Sequence, residues 1–280
     1  MERICEPELM EKPSQAQAYA EADFSVSDDA FTDWVLALLA ERQRDDSAAR
    51  GRRADAAPPA AASLAASLAA PVARSVPEPV ASQGSAAPFA SHPNPQTLRI
   101  LDLGCGPGNI SFRLARACPH APVLGLDGAA AMLAIAQERL RAEPALVGRL
   151  GFRQACLPLP PAELEGLGGG FDLLVSNSVL HHLADPQVLW RQLGQLAAPG
   201  AWLVLRDLRR PANPAAVAEL VARHAASASA QLRHDFEASL RAAFRLEEVR
   251  DQLRAAGLGH LRTAEREDRY LDVWGPIETD

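Results

Sequence analysis

Along residues 98–280, short apolar runs alternate with stretches in which apolar residues recur at three- and four-residue spacing. The runs at 99–103, 123–126, 151–154, 171–176 and 201–206 predict strands, and the stretches at 110–117, 130–141 and 186–196 predict helices. Strands separated by helices of that length have room for crossovers, so they pair in parallel with helices on both faces of the sheet. A helical region follows over 214–257. The two further apolar runs, 261–265 and 269–274, lie too close together for a crossover. They predict an antiparallel pair at the end of a mostly parallel α/β sheet.

The chain before residue 98 has a different pattern. Within 1–42, Phe31, Trp34, Val35, Leu38 and Leu39 make one apolar face of a helix predicted over 28–41, with Asp28 or Asp29 as its N-cap. From 43 to 97 Ala, Pro, Ser and Gly dominate, as in Ala56-Ala57-Pro58-Pro59. Too few large apolar residues are present to offset the entropy of ordering, which predicts a mobile insertion with at most a short helix over 60–70. The expected division is therefore a helical cap or lid segment at 1–42, a disordered insertion at 43–97 and a ligand-binding domain at 98–280.

Composition narrows the function. No apolar run reaches 18 residues and the N-terminus lacks an apolar leader core, so neither a spanning helix nor a secretory signal is expected. The net charge of −7 disfavours a protein built to neutralise nucleic-acid phosphates. The four cysteines (Cys5, Cys105, Cys118, Cys156) are scattered without Cys/His metal spacing. They point to a reducing, cytoplasmic setting and to no metal.

The most informative stretch is Ile100-Leu101-Asp102-Leu103-Gly104-Cys105-Gly106-Pro107-Gly108-Asn109, a strand running into a glycine turn that opens a helix. Backbone N–H groups in such a turn approach an anionic group closely. Asp102, however, lies within the strand where a dinucleotide fingerprint has an apolar residue. The spacing is also G-x-G-x-G, not the G-x-G-x-x-G that accommodates a pyrophosphate. An acid there suits a ligand with positive charge near the turn, a character found in S-adenosylmethionine. Asp127, nineteen residues after Gly108, ends the second strand, where a carboxylate accepts both hydrogens of a ribose diol. The competing reading of Asp127 is a plain helix cap.

These residues, together with Gly125-Leu126-Asp127 and the run from Phe171-Asp172 through Asn177-Ser178-Val179-Leu180-His181-His182, resemble the class I S-adenosylmethionine-dependent methyltransferases over roughly 98–274. Glu6-Pro7-Glu8-Leu9-Met10 and Tyr19-Ala20-Glu21-Ala22-Asp23-Phe24 look like a bacterial subgroup of them. The resemblance implies a seven-stranded Rossmann-like sheet and S-adenosyl-L-methionine as cofactor. It implies that Gly104, Gly106 and Gly108, with the Cys105 backbone, wrap the methionine moiety while Asp102 orients its ammonium. Asp127 would hold the ribose, with Gly128 and Met132 against ribose and adenine. Cys156 stands where family members usually carry an acid for the adenine amino group, which leaves that recognition to the Leu157 backbone and to packing. Asn177 would sit beside the methionine end.

Methyl transfer from a sulfonium is an in-line displacement that needs positioning and exclusion of water, and no metal in principle. A base is needed only if the acceptor must lose a proton. His181 and His182 follow the fourth strand at the edge where open α/β sheets bind ligands, and His182 is the preferred candidate. Asp207, ending the fifth strand, faces the acceptor or pairs with an arginine. Tyr19 and Asp23 are candidates for a lid over the cofactor. The expected acceptor is a small molecule. A nucleic-acid methyltransferase of the amino-group type is disfavoured, because Asn177-Ser178-Val179-Leu180 has neither the proline nor the aromatic residue of its base-stacking turn. A protein methyltransferase, a non-catalytic cofactor-binding protein and, less favoured, an NAD-dependent oxidoreductase are the other readings.

Overall fold

The structure, a computed structural model, describes residues 1–6, 10–55, 97–168 and 170–278, with backbone alone over 45–55. Two compact units are present, Met1–Thr32 with Pro88–Asp280, and Asp33–Ala87. Every site residue discussed below belongs to the first.

Seven strands form one sheet in the order β3-β2-β1-β4-β5-β7-β6. They are β1 (Ile100–Leu103), β2 (Val123–Asp127), β3 (Leu150–Gln154), β4 (Phe171–Asn177), β5 (Ala197–Leu208), β6 (Arg262–Arg266) and β7 (Tyr270–Pro276). Pairing is parallel from β3 across to β5, while β7 runs antiparallel to both β5 and β6. The expected mostly parallel sheet with an antiparallel C-terminal strand is therefore what forms. Chain order reverses direction across the sheet between β1 and β4, so a crevice opens at the carboxyl ends of those two strands.

The helices are α1 (Pro13–Glu21), α2 (Ser25–Asp55), α3 (Asn109–Ala117), α4 (Ala130–Arg141), α5 (Pro161–Glu165), α6 (Gln187–Leu196), α7 (Pro214–His224), α8 (Ala230–Ala242) and α9 (Leu246–Ala255). The central strands are buried along their length, and α6 and α9 cover them with Leu189, Trp190, Leu193, Val249 and Leu253 in a continuous apolar core. Residues of both parities in β1 are buried, Ile100 and Asp102 as well as Leu101 and Leu103, so both faces of the sheet are covered there, which explains why the strands read as apolar runs and not as alternations.

Three boundaries differ from expectation. Strand β5 starts at Ala197, not 201, because its first residue pairs with Phe171 before a register shift restores the ladder at Leu173 and Trp202. Helix α2 starts at Ser25, so Asp28 lies inside its first turn and neither Asp28 nor Asp29 is its N-cap, and it continues to Asp55, past the expected stop near 41 and into the segment read as insertion. Of its predicted face, Phe31, Val35, Leu38 and Leu39 are buried and Trp34 is half-buried. The possible helix at 60–70, most of the 43–97 insertion and Pro7-Glu8-Leu9 lie outside the described residues.

Candidate functional site

The β1–α3 turn is built by conformations and spaces that side chains would spoil. Gly104 has φ +69°, and a Cβ there would meet Cγ2 of Val179 at 2.1 Å. Gly106 also has positive φ (+53°), yet a Cβ there would meet nothing within 4 Å. The first glycine is required by close packing, whereas the second faces open space. The turn's N–H groups are directed inward. Those of Gly104 and Cys105 donate to the Leu126 carbonyl at 2.8 and 3.0 Å, and that of Gly108 donates to the Cys105 carbonyl at 2.9 Å. The N–H of Gly106 donates to Oδ2 of Asp127 at 2.8 Å. Arg139 of α4 braces the turn from outside, donating to the Pro107 carbonyl at 2.9 Å and to Oδ1 of Asn109 at 2.8 Å.

Asp127 thus ties β2 to the turn, and its other oxygen accepts from Ala129 N at 2.8 Å. A carboxylate has about four acceptor positions, so each oxygen keeps one for a ligand after these two bonds. Burial raises its pKa while the two backbone donors pull it back. Asp102 lies two residues before the turn, buried, with Oδ2 accepting from the Ser111 hydroxyl at 2.5 Å. Burial pushes its pKa up to about 7, against the pull of that hydroxyl.

Both acids line an open cavity of about 890 Å³ at the carboxyl edge of the sheet, together with Gly104, Cys105, Gly106, Gly128, Met132, Cys156, Leu157 and Asn177. Gly108 lies behind this wall, where a Cβ would press on Phe112 and Phe152 at 2.8–2.9 Å. The volume falls in the range of roughly 300–1,000 Å³ usual for small-molecule sites. A sulfonium nucleoside meets a fitting set of groups: a carboxylate beneath a diol, free space above Gly106, and a buried acid where the ammonium would lie.

Helix α1 lies across one side. Ala16 packs with Ala129 and Met132, and Tyr19 and Met10 border that cluster. Tyr19 stacks on Phe24 with ring centroids 4.7 Å apart and lines the cavity. Burial pushes its hydroxyl pKa well above the usual range. Asp23 also lines the cavity, but it is exposed and its Oδ1 accepts from Ser25 N at 2.9 Å, at the start of α2. Asp28 is buried at the same wall, 3.5 Å from Arg113, and burial raises its pKa to about 6.

The opposite end of the cavity is walled by His181 and His182, in a 3-10 turn (Leu180–His182) after β4. Among the described residues Asp207 pairs with no arginine. Its Oδ1 lies 2.5 Å from Nδ1 of His181, and its oxygens also accept from the N–H groups of Leu180 and Leu208, each at 2.6 Å. The arginine of that strand, Arg206, makes a buried bidentate pair with Asp272 at 2.8 and 3.0 Å. Asp207 therefore orients His181, the histidine that was not preferred. Burial lowers the His181 pKa, but the Asp207 and Glu6 carboxylates outweigh it and hold the pKa above its ordinary value.

Sequence reasoning missed Glu6 and Ser239 at this end. Ser239 of α8 donates to Glu6 at 3.0 Å, and Glu6 approaches both imidazoles. Arg3 holds the segment down by donating to the carbonyls of His181 and Leu183, each at 2.9 Å. No spacing signal could link residues so far apart along the chain. His224, left without a role, lines the cavity rim and pairs with Asp268 at 2.8 Å.

Residues 101–203 match the family described as "Methyltransferase domain". The chain is similar to a trans-aconitate 2-methyltransferase of Deinococcus radiodurans, with 37% identity over 115 residues, covering 41% of this chain and 38% of that one. Another trans-aconitate 2-methyltransferase, from Variovorax paradoxus, is 36% identical over 118 residues, 42% of this chain and 41% of that one. An uncharacterised methyltransferase of Mycobacterium tuberculosis is 36% identical over 106 residues, 38% of this chain and 48% of that one. The chain thus spans less than half the length of these relatives. Among solved structures, the plantazolicin methyltransferase in complex with S-adenosylhomocysteine gives a TM-score of 0.49 at 15% identity, over 65% of this chain and 77% of that one. An O-methyltransferase family protein from Burkholderia thailandensis gives 0.49 at 20% identity, over 70% and 54%.

Proposed function

Because the chain belongs to the class I S-adenosylmethionine-dependent methyltransferases, we propose that it transfers a methyl group from that donor to a small-molecule acceptor. The observation that carries the reading is Asp127, which closes the turn with one oxygen, accepts from Ala129 N just before α4 with the other and lines the hollow over Gly106. S-adenosylmethionine, when bound, supplies a methyl carbon on a sulfonium that leaves without further activation.

The protein's own work is then holding and shielding. Asp127 takes the ribose hydroxyls with the acceptor positions left over from Gly106 and Ala129. Asp102 meets the ammonium, and ionises as it does so, because a cation beside a buried acid offsets the cost of its charge. Met132, Cys156 and Leu157 border the adenine, and Asn177 the methionine end. Tyr19, on α1, excludes water from the same side, while Asp23 contributes by fixing the start of α2.

The acceptor enters at the His181–His182 end. For an acceptor that must lose a proton, these are the imidazoles at hand, with Asp207 as the positioning residue of His181. Similarity to trans-aconitate methyltransferases favours an oxygen-bearing acid as acceptor class over a nucleic acid or a protein. Incubating the full chain with methyl-labelled donor and a fractionated small-molecule extract tests the proposal. A labelled product that depends on Asp127 is expected, whereas label entering only nucleic acid or protein would overturn the choice of acceptor.

A further inference from the structure

We infer that Glu6, His181 and His182 form a site for a borderline divalent cation of the Zn²⁺ type at the acceptor end of the cavity. Oε1 of Glu6 lies 3.4 Å from Nε2 of His181 and 3.3 Å from Nδ1 of His182. One donor atom from each of the three residues lies within 4.8 Å of the others. Two ligands at about 2.0–2.2 Å from a tetrahedral ion stand about 3.4 Å apart, whereas a charge-assisted N–H···O contact closes to about 2.7–2.9 Å. The separations are those of groups sharing an ion.

The surroundings are those a metal site requires. Asp207 sits 2.5 Å from Nδ1 of His181 and leaves Nε2 turned toward Glu6, which is the outer carboxylate that fixes a ligating imidazole. Ser239 holds Glu6 in turn at 3.0 Å. Arg3 donates to the His181 carbonyl and lies over the Phe244 ring at 3.9 Å, so the segment bearing Glu6 is anchored beside the histidines. Two imidazoles and one carboxylate suit zinc, cobalt or iron better than magnesium or calcium, which favour oxygen. Both histidines line the cavity, so the remaining positions on the ion are open to an acceptor's hydroxyl or carboxylate oxygens. The function of the ion, gripping an oxygen-bearing acceptor, rests on the proposed methyl transfer; its binding does not.

The test uses the full chain, stripped with a chelator and titrated with Zn²⁺ by calorimetry and with Co²⁺ by visible absorption, while S-adenosylhomocysteine binding is measured alongside. One equivalent of each ion is expected. Glu6→Gln and His182→Asn should each weaken metal binding at least about 100-fold and Asp207→Asn about 10–100-fold, with nucleoside affinity kept in Glu6→Gln. Absence of a stoichiometric ion, a Co²⁺–thiolate band that places the ion on cysteine, or unchanged metal affinity in both Glu6→Gln and His182→Asn would overturn the inference. Metal binding that persists while the nucleoside fails to bind would leave the cation site standing and remove the donor reading instead.

Discussion

The two ends of the cavity are built by opposite means. At the end formed by β1, β2 and α4, the chain shapes the site with backbone: positive-φ glycines, N–H groups turned onto Leu126 and Asp127, and one short strand-to-helix turn. At the other end, side chains from four separate places converge: Glu6 near the N-terminus, the histidines after β4, Asp207 in β5 and Ser239 in α8. The first construction tolerates little change, because a backbone path has few alternatives. The second is assembled by the tertiary fold, so single residues can be exchanged there without rerouting the chain. A common chemistry at the first end and a variable acceptor at the second would use this division.

The sharpest break of the comparison is Gly104→Ala. Its Cβ would meet Val179 at 2.1 Å in a positive-φ conformation. We expect a loss of about 3 kcal/mol of stability from overpacking and backbone strain together, read by denaturant unfolding. Asp127→Ala comes next. Removal of a charged acceptor of about 2–3 kcal/mol predicts S-adenosylhomocysteine affinity lower by roughly 30–150-fold, with the fold retained.

Gly106→Ala separates the two roles of the turn. Its Cβ meets no protein atom within 4 Å, so stability should fall by only about 1–2 kcal/mol, while nucleoside binding suffers because the methyl group occupies the hollow. Equal damage to folding from both glycine variants would remove the distinction.

The smallest effect is on pH dependence. Asp102 and Asp28 have folded pKa values of about 7 and about 6, raised mainly by burial. Both bind protons more tightly folded than unfolded, so their contribution is fully present below about pH 4 and is lost as pH rises through 6 to 7. Asp102→Asn keeps the shape of the side chain and should flatten the decline in Tm between pH 4 and 7.

Much of the glycine-turn end was legible because local sequence dictates it. The 130–141 helix forms with those bounds, and Asp127 lines a hollow beside the glycine turn. The parallel direction of β1 to β5 rests on the same logic, since helical crossovers separate them, whereas their order across the sheet was not legible. Helix α1 was not legible, because Pro13–Glu21 offers only Ala16 and Tyr19 as an inward face and its periodicity is faint. The histidine end was read in part. The histidines were visible at the edge of β4, but Asp207's choice of His181 depends on the register of β4 against β5. Glu6 reaches them only through the folded path of the N-terminal segment. No local pattern encodes such contacts.

The central claim is that the cavity at the β1–β4 crevice takes a sulfonium nucleoside. Titrating the full chain with S-adenosylhomocysteine and, separately, with NAD tests it most directly. Saturation of one site by the sulfur nucleoside and no heat from NAD is the predicted result, and tight binding of NAD with none of the sulfur nucleoside would contradict it.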